Sequence, residues 1–386
     1  MASCVRSNKL DRSRELSTAD SQQGVVLVVV VMVVFLMVTL LAFLVEDQHL
    51  LSRRVVNQRI DEQGFQYAQG VNEWAMRVLH EDKDRQMDSV IEDWAKFGRP
   101  DPDSELEEAE DGFTLSTGAE EDEEAAPTID FGDVPLSYSI DDLQGKYNLN
   151  NLGETNPARR LEQKQIFLNL LDQVGVTEFD TKETLYATLA DWLDGNKERS
   201  PNGKESDDYA ASETPYYAAD QQLVSLGELK FVSGFTTQII ADLEPFVTVL
   251  PVTNAQININ STSAETLAAL SKVPIFDIGT VQGFLARRNE PEFLGFNSGS
   301  ISEAENAIIG VAAAVRQPPI SGMMSVASQF FQINVKIELD KKVYCMRTKV
   351  LRKEAAQEAD FTKSFVVISR EYDTLCQQTS DPINSL

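Results

Sequence analysis

The stretch Ser21-Gln-Gln-Gly24-Val25-Val-Leu-Val-Val-Val-Val-Met-Val-Val-Phe-Leu-Met-Val-Thr-Leu-Leu-Ala-Phe-Leu-Val45 decides how the rest of the chain is read. From Val25 to Val45 there is no charge over 21 residues. At about 1.5 Å per residue, such a helix crosses the ~30 Å hydrocarbon core of a bilayer once. Arg6, Lys9, Arg12 and Arg14 precede it, and Glu46 and Asp47 follow. Basic residues on the N-terminal side place that end in the cytoplasm and the bulk of the chain beyond the membrane. A cleaved secretory signal has a shorter apolar run, of about 7–15 residues, and ends at a small-residue site. Neither feature is present, so a signal anchor is the stronger alternative.

The pattern stays helical after the span. Leu51, Val55, Ala68, Val71, Ala75 and Val78 recur at three- and four-residue steps, and no proline intervenes before Pro100. This predicts one apolar helical face to about residue 80 within a stalk helix over 46–98, with Gly64 and Gly70 as weak points. Residues 101–124 hold twelve Asp and Glu with no Lys or Arg, which reads as a self-repelling, disordered insertion over 99–128. Alternation in Pro135–Ile140 predicts a strand. Asn156-Pro157 reads as a cap opening a helix to about Val174, and a second helix runs from Lys182 to Leu193. Ser225…Glu228 and Thr262…Glu265 fit capping boxes. Further helices fall near 235–243, 277–288 and 302–313. Strands return at Phe330–Glu338, Val343–Leu351 and Phe365–Ser369, the first two joined at Asp340-Lys341. The fold class is α+β, with a helical insertion between two β regions.

The whole chain has 386 residues, 61 Asp and Glu against 34 Lys and Arg, and a formal net charge of −27. That balance opposes nucleic acid as a partner, because phosphate affinity comes from clustered cations. Two His and three Cys are too few for a multi-site zinc or haem protein. No Walker loop occurs, and no His stands beside a Ser or Cys nucleophile, so no enzyme is read from the sequence. Hard, oxygen-liganded cations remain. Asp194, Asn196, Glu205, Asp207 and Asp208 offer alternating oxygens on a Gly-containing loop, as calcium requires, although the spacing is not that of an EF-hand. An acidic surface loop fits the same residues. Cys345 and Cys376 lie in or beside the last strands of an exported region, where either a disulfide or two buried thiols is consistent. Ile257-Asn-Ile-Asn260-Ser-Thr-Ser263 before a capped helix is similar to the opening of a helix-hairpin-helix DNA-binding unit. It has one Gly in the following turn and only Arg287 and Arg288 to meet phosphate. A protein-binding or structural domain is the better reading.

Taken together, these residues resemble the protein K family of the type II (general) secretion pathway, the large minor pseudopilins. The resemblance runs through Gly24/Val25, Asp142-Leu-Gln-Gly-Lys-Tyr-Asn-Leu-Asn-Asn-Leu152 and Asp191-Trp-Leu-Asp194. It continues through Gly203-x-Glu205-x-x-x-Tyr209, Pro215-Tyr216, Ala219-Asp220, Leu223-Val-Ser-x-x-Glu228-Leu229, Ile257-Asn-Ile-Asn260-Ser-Thr and Phe330-Phe331. The acidic block falls outside the pattern.

The resemblance implies a pilin-like fold: a long N-terminal helix on an antiparallel sheet, with a large α-helical domain inserted. It divides the chain into a prepilin leader (1–24), a transmembrane helix (25–45), the stalk, a first β part (129–155), an inserted domain (156–322) and a last β part (323–386). The inserted domain holds a calcium loop (191–209) and the helix-hairpin-helix-like part (257–313). The resemblance also implies cleavage between Gly24 and Val25 by a prepilin peptidase, calcium in the inserted domain, and a single-pass place in the bacterial inner membrane with a periplasmic C-terminal region. Implied partners are the minor pseudopilins I and J, the major pseudopilin, the inner-membrane assembly platform and membrane lipid, without nucleic acid. Ser206 and Asp220 depart from the family's usual Asp and Asn. Most pilins carry Glu at the fifth mature position; here it is Val29. A buried carboxylate needs a neighbour to neutralise it, so its loss suits a subunit with nothing above it. A DNA-uptake component and a membrane-anchored hydrolase are the competing expectations. Ala42, Gly64, Ala68 and Ala75 are expected to let stalks of different subunits approach closely.

Overall fold

The computed structural model describes residues 17–82, 84–96, 114–115, 129–130, 134–271, 278–290, 292–309, 320–353, 361–374 and 376. The leader's first sixteen residues, most of the acidic block, Val273–Asp277 and the expected helix beyond Ile309 lie outside them. The chain divides into two units, Met1–Gln63 and Gly64–Leu386.

The first unit is helix, the leading part of α1 (Ser17–Glu81). Every residue from Val25 to Val45 is exposed along it. The only polar side chain in that run, Thr39, donates its hydroxyl to the Phe35 carbonyl at 2.6 Å. The apolar surface therefore carries no unsatisfied donor, as hydrocarbon demands. Among the described residues, this helix alone is long and apolar enough to cross a membrane.

In the second unit α1 presents Ala68, Val71, Ala75 and Leu79, each fully buried. The close approach depends on Gly64, where a Cβ would stand 2.9 Å from the Tyr344 ring. Gly64, Ala68 and Ala75 are thus committed inside this unit and not left free for a neighbouring stalk; of the four small residues, only Ala42 is exposed. Gly64 and Gly70 do not interrupt the helix. The helix ends at Glu81, not at 98. No proline or glycine stops it. Asp82 accepts from the Asp84 amide and Asp84 from the Gln86 amide, both at 3.1 Å. Such side-chain turns compete with the helix for backbone donors. A single turn, α2 (Asp93–Lys96), follows.

The sheet holds β1 (Leu136–Asp142), β2 (Phe330–Leu339), β3 (Lys342–Arg352) and β4 (Phe365–Asp373), antiparallel in the order β4-β3-β2-β1. Its buried face stacks Ile140, Ile333 and Thr348 in one cross-strand row, and Tyr138, Val335 and Met346 in the next. Asp340 and Lys341, with φ of 49° and 66°, make the two-residue turn between β2 and β3. That left-handed pair matches the strand twist. Cys345 and Cys376 are joined as a disulfide, tying the chain after β4 to β3.

Asp142, the last residue of β1, pairs with Phe331 on β2, so the chain leaves and re-enters the sheet at one point. The insertion accordingly runs from Leu143 to Gln329, wider than 156–322. It contains α3 (Pro157–Gln173), α4 (Phe179–Leu193), α5 (Ser206–Ala210), α6 (Thr237–Leu243), α7 (Ala264–Ala269), α8 (Ile278–Leu285) and α9 (Ser300–Ile309). Phe167, Leu170, Leu189, Leu229, Leu267 and Phe296 lie in its core. Asn156 caps α3 through the Ala158 and Arg159 amides, and Glu228 closes its capping box on the Ser225 amide at 2.9 Å. The cap of α7 is Ser263, one residue later than Thr262: its hydroxyl takes the Thr266 amide while Thr262 is buried.

Buried asparagines hold the loops together. Asn150 takes the Leu223 amide and donates to the Leu223 and Leu250 carbonyls. Asn260 does the same with the Phe296 amide and carbonyl. A side-chain amide offers one acceptor and two donors, so it can satisfy irregular backbone as a strand partner would.

One polar cluster joins the insertion to the sheet and to the segment after α1. Arg352 bonds Asp82 at 2.8 Å and both oxygens of Asp88 at 2.6 Å, with its plane 4.8 Å from the Phe331 ring centroid. The three side chains are 4%, 5% and 0% exposed. Ser328 bridges Asp88 to Asp142, and Asp142 also accepts from Asn258 and Ser261. Burial pushes the Asp142 carboxyl upward while these donors pull it back.

Candidate metal centre in the inserted domain

Helix α4 ends in Asp191-Trp-Leu, and its next residue, Asp194, is the C-cap. Positions 191 and 194 are three apart and share a helical face. Asp191 is fully buried and accepts the Ser200 amide on both oxygens, at 3.3 and 3.1 Å. Gly203 packs against that carboxylate so tightly that a Cβ there would collide with it. The chain then reaches Glu205, which precedes α5. Glu205 is 5% exposed, and neither carboxylate oxygen has a hydrogen-bond partner. Asp220 also has a buried oxygen without a partner, and its backbone adopts φ of 50°, uncommon for a residue other than Gly. Burial raises the Glu205 pKa, and the charges of Asp191, Asp194 and Asp220 raise it further. Asp194 is raised by burial and by Asp191, while the Asn196 amide lowers it. An edge-on stack of Trp192 on Tyr209, continuing to Tyr216, supports the site.

Asp191, Asp194 and Asp220 lie near enough for their charges to act on Glu205, and buried oxygens of Glu205 and Asp220 lack donors. Unpaired buried acceptors cost roughly 1–3 kcal/mol each, and a hard cation accepting those oxygens removes the penalty. The donor set fits calcium.

Of the residues read from the sequence, Asp194 and Glu205 come together here. The other three point elsewhere. Asn196 spends its carbonyl on the Glu198 amide at 2.6 Å. Asp208 accepts the Glu205 amide at 3.0 Å and pairs with Arg199 at 3.1 Å; the Glu205 amide first, and Arg199 after it, hold its carboxyl below the usual range. Asp207 is exposed. Asp191 and Asp220 are the carboxylates whose charges act on Glu205 together with Asp194. The helical i, i+3 spacing could have flagged Asp191; the left-handed backbone at Asp220 leaves no such mark. In the helix-hairpin-helix-like part, Arg287 pairs with Glu303, and Arg288 donates to the Thr262 and Ile259 carbonyls. Neither guanidinium is spare for phosphate.

Residues 145–252, which span the Asn150 clamp and the carboxylate cluster, match the family model described as type II secretion system (T2SS), protein K. The type II secretion system protein K of Pseudomonas aeruginosa is 28% identical over 301 residues, covering 73% of this chain and 81% of that protein. That of Pectobacterium carotovorum subsp. carotovorum is 27% identical over 259 residues, covering 65% and 70%. Over these spans the chain is similar to the protein K family of type II secretion. Its fold is likewise similar to a chain of the GspK-GspI-GspJ complex from enterotoxigenic Escherichia coli, with a TM-score of 0.59 and 18% identity over 83% of this chain and 99% of that one. That similarity supports a minor pseudopilin, a structural component of the secretion machinery. The envelope is its place, with α1 supplying a single apolar helix for anchorage.

Proposed function

We propose that this minor pseudopilin caps and helps start the periplasmic pseudopilus through which folded proteins are exported across the outer membrane. The observation that carries the reading is the apolar run of α1: from Val25 to Val45 it holds no ionisable group, and Val29 stands where pilins keep a buried acid. A subunit at the end of a filament has no neighbour to neutralise such an acid, and an unpaired carboxylate in hydrocarbon costs about 2.5–3.5 kcal/mol or more. The insertion from Leu143 to Gln329 is large enough to obstruct a further subunit. The solved relative forms a complex with GspI and GspJ; minor pseudopilins of those two kinds are the partners proposed here, along with the major pseudopilin and the assembly platform. Calcium, held by Asp191, Asp194, Glu205 and Asp220, would bridge carboxylates that otherwise repel. The role is structural, not catalytic. The N-terminus lies in the cytoplasm and the second unit in the periplasm.

Processing at Gly24 is the first step to test. The leader must be cut between Gly24 and Val25 before assembly, so protein extracted from membranes of cells with a prepilin peptidase should begin Val25-Val26-Leu27. Gly24→Trp should retain Met1 and block incorporation. A wild-type protein that keeps its leader would refute the processing step.

A further inference from the structure

The joint around Arg352 holds more negative charge than one guanidinium balances. Asp82, Asp88 and Glu92 each bring a carboxylate oxygen within 4.8 Å of the others. Arg352 engages Asp82 and Asp88. Glu92 has no ion pair among the described residues; it accepts the Trp94 indole N–H at 2.6 Å, and Trp94 is itself buried edge-on against Phe331. A fourth carboxylate, Asp142, reaches Asp88 through Ser328. Among the described residues, the other charges of the segment turn elsewhere: Arg85 donates to the His80 carbonyl at 3.0 Å, Asp84 takes the Gln86 amide, and Asp93 and Lys96 are exposed. Three carboxylates crowded on one buried cation cannot all ionise cheaply.

We propose that Glu92 holds a proton against the Asp82–Asp88–Arg352 cluster, so that the segment from Asp82 to Lys96 grips the sheet and the inserted domain more tightly as the surroundings acidify. Burial, followed by the charges of Asp82 and Asp88, lifts Glu92 to about 7 against the pull of the Trp94 hydrogen bond. Burial also lifts Asp88 to about 7, against Arg352. The two-oxygen contact with Arg352 keeps Asp88 ionised and leaves Glu92 as the seat of the proton. The sign follows from linkage: an acid whose pKa is raised in the closed form stabilises closure fully below its open-form value of 4.5, and that stabilisation is lost as pH rises toward 7.

The test is amide hydrogen exchange of residues 84–96 in the full-length protein in detergent, at pH 5.5 and 7.5 and fixed calcium, with intrinsic rates divided out. Protection in the wild type should rise several-fold on acidification, with a limit of roughly tenfold per pH unit for one proton. Glu92→Gln keeps the acceptor for Trp94 without the charge and should be well protected at both pH values. Equal wild-type protection at the two pH values would overturn the proposal. So would a Gln variant that keeps the wild-type pH dependence, or one that fails to fold, because a site that holds a neutral acid accommodates its neutral isostere.

Discussion

Arg352→Met is expected to destabilise the folded protein by about 3–5 kcal/mol, the usual cost of stranding buried charges. Methionine keeps most of the aliphatic volume over Phe331 but leaves Asp82 and Asp88, 5% and 0% exposed, facing each other without a cation. The loss should be greatest at neutral and alkaline pH and should shrink in acid, where the stranded carboxyls protonate. Adding Asp82→Asn and Asp88→Asn should recover part of the stability, because a buried pair costs most when only one side is removed. Thermal unfolding of the three proteins across pH 5.5–8 measures this. A penalty below about 1 kcal/mol, typical of exposed pairs, would mean that Arg352 does not hold the joint together.

Chelation of calcium should lower the melting temperature of the full-length protein, and Glu205→Ala should abolish that response. A ligand bound only by the folded state adds RT ln(1 + [L]/Kd), or about 2.7 kcal/mol at a hundred times Kd. At roughly 2–4 °C per kcal/mol for a unit of this size, the shift is about 5–10 °C. The Ala variant removes both orphaned oxygens of Glu205, so its apo form should melt no lower than the chelated wild type. Asp207→Asn, at an exposed position, should leave the calcium response intact. An unchanged melting curve on chelation, or a Glu205→Ala protein that still responds, would remove calcium from these residues.

Local chemistry was legible in the sequence, and distant pairing was not. The uncharged run from Val25 to Val45, the Asn156-Pro157 cap, the Ser225–Glu228 box and the Asp340-Lys341 turn are each decided by neighbours within a few residues, and each stands in the structure as read. The end of α1 at Glu81 escaped because Asp82 and Asp84 stop the helix with side-chain turns, where a proline or glycine would have been the visible signal. Ala68 and Ala75 are small for a reason the sequence points to, close approach, but the surface they approach is their own sheet. The joint escaped altogether: Arg352 meets Asp82 and Asp88 across 270 and 264 residues, and no spacing rule reaches that far. The carboxylate cluster around Glu205 was half legible. Asp194 and Glu205 sit on one acidic loop, whereas Asp220 arrives from a separate turn whose left-handed backbone has no sequence signature. Asn150 and Asn260 belong to conspicuous Asn-rich motifs, yet their work as backbone clamps depends on which loops fold back onto them.

The most direct test of a tip role is the position of this chain in the filament. Pseudopili assembled with the full set of minor pseudopilins can be labelled with gold-conjugated antibody against the inserted domain and imaged by electron microscopy. Label at one end of each filament, and none along its length, is the predicted result. Gold spaced regularly along the shaft would contradict it.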